Sequence, residues 1–84
     1  MTSEVFLSAK AAKFLEDIDK EEKYRIVEKL KLLKNGPFIL PYEKVKGREN
    51  TYRIRVGDFR VLYSFRYNEI RVLKIGLRKG IYKK

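Results

Sequence analysis

The chain has 84 residues, no cysteine, no histidine and a net charge of +10. That length holds one small domain, expected to span residues 1–84, with a modest core. The missing residue types exclude disulfides, a thiol nucleophile, a Cys-based zinc site, and both the commonest general base and the commonest metal ligand.

Glu4 to Leu7 leans apolar and reads as a short strand. Glu4 also stands where a secretory signal would be positively charged, and no apolar run approaches a bilayer span. A cytoplasmic protein with no membrane partner is therefore expected. Ser8 can cap a following helix, in which Leu7, Ala11, Phe14, Leu15 and Ile18 keep helical spacing. Asp19 starts a second helix, with Glu22 three residues on as a capping box. Its apolar stripe is Ile26, Val27, Leu30 and Leu33. Asn35-Gly36-Pro37 stops it.

Residues 37–50 hold both prolines, Gly47 and several charges, and read as a connecting loop. Three strands follow, at about Tyr52–Val56, Phe59–Phe65 and Ile70–Leu77. The order is β-α-α-β-β-β, an α+β class in which an N-terminal helical hairpin packs on one face of a small, mainly antiparallel sheet.

Gly57-Asp58 suits a two-residue hairpin loop, which sets Val56 opposite Phe59 and Arg55 opposite Arg60. Side chains alternate along strands. Tyr52, Ile54, Val56, Phe59, Val61 and Tyr63 then face the helices, while Arg53, Arg55, Arg60 and Leu62 face away. At the second hairpin, a two-residue loop at Asn68-Glu69 places a charge on the core face. A three-residue loop at Tyr67-Asn68-Glu69 pairs Val61 with Ile75 and Tyr63 with Leu73, and the hydrophobic pattern favours it. Lys74 and Arg78 then join Arg60, over an apolar floor of Leu62 and Val72.

The charge is uneven. Residues 1–36 carry eight basic and seven acidic side chains, whereas residues 37–84 carry thirteen basic and four acidic. A solvated outer face explains scattered basic residues. Clustering on one face, few acidic neighbours and arginine rather than lysine point instead to a polyanion, because the guanidinium fork matches phosphate oxygens. Tyr82, four residues after Arg78, is either a cap on the core edge or a phenol whose pKa neighbouring guanidiniums depress, which suits a general base.

The segment Tyr52-Arg53-Ile54-Arg55-Val56-Gly57-Asp58-Phe59-Arg60-Val61-Leu62-Tyr63 resembles the signature of the RelE/ParE toxin superfamily. Lys46-Gly47 before it and Gly76-Leu77-Arg78-Lys79-Gly80-Ile81-Tyr82 after it are similar too. The resemblance covers nearly the whole chain and implies the toxin of a type II toxin–antitoxin pair. In its RelE branch it implies an endoribonuclease that cleaves mRNA in the ribosomal A site without metal or cofactor, by attack of the 2′-hydroxyl on the adjacent phosphodiester. By position, Arg60 would hold the phosphate, Arg78 would contact the phosphate or the leaving oxygen, and Tyr82 would be the base. Arg53, Arg55, Lys74, Lys46 and Lys79 would bind RNA or phosphate. Arg53 and Arg55 stand where lysine is frequent in ribosome-dependent members, and a guanidinium cannot accept a proton. The implied partners are a RelB-like antitoxin, the ribosome with its rRNA, and mRNA. Two other readings share the fold: a ParE-like DNA gyrase inhibitor, and an inactive RNA-binding relative.

Overall fold

The structure is a computed structural model, described here for residues 3–77. The chain runs β1 (Glu4–Leu7), α1 (Ala9–Asp17), α2 (Lys20–Leu33), β2 (Glu43–Lys44), β3 (Thr51–Val56), β4 (Phe59–Arg66) and β5 (Glu69–Leu77). The strands form one five-stranded mixed sheet in the order β1-β5-β4-β3-β2. Among the described residues only the β1–β5 pairing is parallel. Among the described residues no helix is long and apolar enough to cross a membrane.

Local signals place the helices. Ser8 accepts a hydrogen bond from the Ala11 amide at 3.0 Å, which satisfies one of the free donors at the start of α1. Its hydroxyl donates in turn to the Leu73 carbonyl on β5 at 2.8 Å. Asp19 is the N-cap residue of α2, but its side chain makes no capping hydrogen bond, so the capping box does not form. Glu21 and Glu22 still complement the positive end of the helix dipole. The helix ends at Leu33, immediately before the Asn35-Gly36-Pro37 stop.

The core lies between the helices and one face of the sheet. Ala11, Leu15, Ile26, Leu30 and Leu33 meet Ile54, Val56, Phe59, Val61, Tyr63, Ile70, Val72 and Ile75. Phe14 packs its ring edge to face against Phe59, with centroids 5.8 Å apart. A fully buried side chain such as Ile26 contributes about 1.5–3 kcal/mol.

The β3–β4 register is the one the alternation implies: Val56 faces Phe59, Arg55 faces Arg60, and Tyr52 faces Tyr63. Two expectations about the connections need correction. The connection between α2 and β3 is not all loop, because Glu43 and Lys44 form β2 against Arg53 and Tyr52. The second hairpin turns on two residues, Tyr67 and Asn68, both with left-handed φ (52° and 62°), so Arg66 pairs with Glu69. Positive φ at both positions is the turn that matches strand twist.

A β-bulge beyond that turn shifts the pairing between Leu62 and Tyr63. Val61 does face Ile75, as expected, but Tyr63 faces Val72 rather than Leu73. The cause lies in the apolar pattern of β5. Ile70 and Val72 have one phase and Ile75 the other, and the extra residue lets all three reach the core. Val72 is accordingly fully buried against the helices and is not a floor for the arginines.

Candidate nucleic-acid interface

The face of the sheet turned away from the helices carries the basic side chains. Arg53 and Arg55 come from β3, Arg60 from the central strand β4, and Lys74 from β5, where it sits opposite Leu62. The Gly57-Asp58 turn brings Arg55 and Arg60 to directly opposing positions. On its other side Arg60 faces Gly76, which has no side chain to compete for space. Arg60 is only 6% exposed. Its guanidinium reaches the Phe59 carbonyl at 3.5 Å, and among the described residues no carboxylate lies in ion-pair contact with it. Taking a guanidinium out of water is costly unless an opposite charge or good hydrogen bonds offset it.

Arg53 is placed differently. Its Nη2 lies 2.5 Å and its Nε 3.1 Å from Glu43 Oε1. The sequence reading missed this carboxylate, because a two-residue strand gives no periodic signal and Glu43 stands in a stretch that reads as loop. The hydrogen bond and charge of Arg53, with smaller contributions from Arg55 and Arg60, hold the Glu43 carboxyl below the usual carboxylate range. The basic face is therefore graded. Arg53 is paired at the β2 edge, Arg55 is exposed and Arg60 is buried. At the far end Arg71 pairs with Glu69 at 2.7 Å and lies over the Phe6 ring. Lys46 is exposed in the loop between β2 and β3, outside the sheet. Arg78, Lys79 and Tyr82 lie outside the described residues.

An aromatic cluster fixes the segment that delivers Glu43. Phe38 stacks near Tyr42, Tyr52 and Phe65, and Tyr42 packs edge to face on Tyr52. The buried Tyr63 hydroxyl donates to the Pro37 carbonyl at 2.5 Å. Burial, reinforced by Tyr42 and Tyr52 nearby, pushes the Tyr63 phenol up to about 12. Residues 37–42 are thus tied to the sheet at Pro37, Phe38 and Tyr42. Tyr63 is a core residue, in line with the alternation.

A model of the ParE toxin of type II toxin–antitoxin systems matches residues 5–82. The chain belongs to this toxin family. Relatives agree across nearly its whole length. The RelE1 toxin candidate of Methanocaldococcus jannaschii is 32% identical over 90 residues, covering 99% of this chain and 98% of the relative. A chain of the archaeal RelE–RelB complex from Pyrococcus horikoshii OT3 superimposes with a TM-score of 0.81 at 29% identity, covering 93% of this chain and 97% of that one. A chain of the RelB–RelE antitoxin–toxin complex from Methanococcus jannaschii gives a TM-score of 0.76 at 26% identity, covering 92% and 94%. In this toxin family member, the two helices and the mixed sheet hold Arg53, Arg55, Arg60 and Lys74 on one surface.

Proposed function

We propose that this protein is a RelE-like toxin that cleaves mRNA in the A site of the ribosome and that a RelB-like antitoxin holds silent. The observation that carries the reading is Arg60, a buried guanidinium with no carboxylate in contact among the described residues, facing a second arginine. A phosphodiester supplies the missing counter-charge and accepts hydrogen bonds from a planar fork.

In the proposed reaction the 2′-oxygen forms a bond to phosphorus and the bond from phosphorus to the 5′-oxygen breaks. The products are a 2′,3′-cyclic phosphate and a 5′-hydroxyl. The proton of the 2′-hydroxyl goes to a base, and the leaving 5′-oxygen gains one. Arg60 holds the non-bridging oxygens and offsets charge that grows on them in the transition state. Arg55 adds positive potential at the same point and Lys74 adds it across β4. By resemblance, Arg78 serves the phosphate or the leaving oxygen, and Tyr82 is the base. DNA lacks the attacking hydroxyl and is not a substrate.

The test is primer extension on mRNA from ribosomes programmed with a defined codon and incubated with purified protein. The expected result is a new 5′ end within the A-site codon, lost without ribosomes. Arg60→Ala is expected to slow cleavage by about 100-fold or more. Cleavage untouched by Arg60→Ala overturns the assignment. A second reading, inhibition of DNA gyrase, is favoured by the ParE description of the matching family model. A supercoiling assay on the same preparation separates the two. Relatives crystallised with RelB and a chain charge of +10 support an acidic antitoxin partner. Co-purification with the product of a neighbouring small acidic gene tests that part.

A further inference from the structure

At the β2 edge of the sheet the basic face continues into a cleft of about 490 Å³ between β3, the segment 40–43 and α2. Arg55 and Arg53 reach it from β3 and Lys29 from α2, while Leu40, Pro41 and Tyr42 supply an apolar wall. Its size is that of sites which enclose one small ligand. We propose that this cleft is a nucleotide subsite, in which a base of single-stranded RNA stacks on Tyr42 and its phosphate lies among Lys29 and Arg55. The proposal rests on the reading of this protein as a toxin that acts on RNA.

Three observations converge on it. Tyr42 is 45% exposed, yet Phe38 and Tyr52 pack on its ring, with centroids at 4.8 and 5.6 Å. An aromatic held from behind and open in front is a stacking platform that loses little freedom when a base arrives. Lys29 and Arg55 are both exposed, and neither has an ion-pair partner among the described residues. Arg55 also stands directly opposite Arg60, so the cleft and the buried guanidinium share one side chain. A strand held at Arg60 is thereby led across β3 toward Tyr42.

An acidic peptide is the other polyanion that a basic cleft accepts. Glu43 argues against it, because its carboxylate stands in the same wall and opposes a run of carboxylates. A nucleotide brings a single phosphate and a planar base, and the base has a ring to stack on.

Proton–nitrogen NMR spectra of the full chain, titrated with adenosine 5′-monophosphate and with ribose 5-phosphate, test the proposal. The nucleotide is expected to move the Leu40, Tyr42 and Arg55 signals and to bind about tenfold more tightly than the sugar phosphate. Tyr42→Ala should abolish that difference, and Tyr42→Phe should retain it, which controls for folding. Equal affinity for the two ligands overturns the subsite, as does a response confined to Arg60 and its neighbours. Displacement of the nucleotide by a short poly-glutamate peptide at equal charge, with larger shifts, also overturns it in favour of a protein partner. The two readings fail separately. Nucleotide binding at Tyr42 without ribosomal cleavage removes only the proposed reaction. Arg60-dependent cleavage with KM unchanged by Tyr42→Ala removes only the subsite.

Discussion

Arg55 on β3 and Arg60 on β4 face each other directly across the first hairpin, the former in solvent and the latter buried. Like charges so placed repel, and the sheet bears that cost without a carboxylate in contact with either among the described residues. Arg55→Gln should therefore raise stability, by about 0.5 kcal/mol, in urea unfolding at low salt. The gain should shrink at high salt as screening removes the repulsion. The same substitution should weaken RNA binding and lower the slope of log affinity against log salt by about 1. A loss of stability would show that this pair is not strained.

Glu43 makes an acid-side prediction. Its folded pKa lies below the ordinary 4.5 because of the Arg53 hydrogen bond. A carboxyl shifted this way contributes stability above its unfolded pKa, and the contribution is lost as pH falls through the folded value. Melting temperatures of the wild type and Glu43→Gln should thus differ at neutral pH and converge as pH falls through the lowered folded value. The variant should also bind RNA more tightly, because Arg53 loses a competing anion. Parallel melting curves from pH 7 to pH 3 would contradict the pairing.

Tyr63 makes the alkaline counterpart. Its folded pKa, about 12, lies above the unfolded value near 10. Stability from this group is fully present below about pH 10 and fades as pH rises toward 12. Tyr63→Phe leaves the Pro37 carbonyl without its donor and should cost about 1–2 kcal/mol at pH 7. The variant should lose less than the wild type between pH 10 and 12, as measured by circular dichroism in urea.

The second turn is open to improvement. Tyr67 holds a left-handed φ of 52° while its side chain is almost wholly in solvent. A bulky residue strains there by about 1 kcal/mol, while asparagine and glycine suit such turns. Tyr67→Asn alone should raise the melting temperature by a few degrees, with Asn68 kept because its Oδ1 accepts from the buried Ser3 hydroxyl at 3.1 Å. The Arg66 contact with the Tyr67 ring, 5.2 Å away, is solvent-exposed and too weak to reverse the sign. A lower melting temperature would refute the turn assignment.

The hairpin that carries Arg55 and Arg60 was legible because Gly57-Asp58 and strict alternation leave one register that buries Ile54, Val56, Phe59 and Val61. Leu73 shows a signal present but read differently. The change of phase between Val72 and Ile75 requires an extra residue, and placing that residue in the turn rather than in the strand misassigned the tip. Glu43 gave no comparable signal, because its position depends on contacts that Pro37, Phe38 and Tyr42 make with residues far along the chain. The burial of Arg60 was equally out of reach, since a basic residue on the outer face of a sheet carries no burial signal in the sequence.

The parallel pairing of β1 with β5 joins the first strand to the last, and the Ser8 bond to Leu73 spans 65 positions. Contacts so distant along the chain form late and slowly. Translation delivers β1 early, yet its partner leaves the exit tunnel only after both helices and the first hairpin. Before β5 is delivered, the nascent chain cannot complete the sheet beyond β4. Until β5 arrives, β1 waits with its sheet hydrogen bonds unmade.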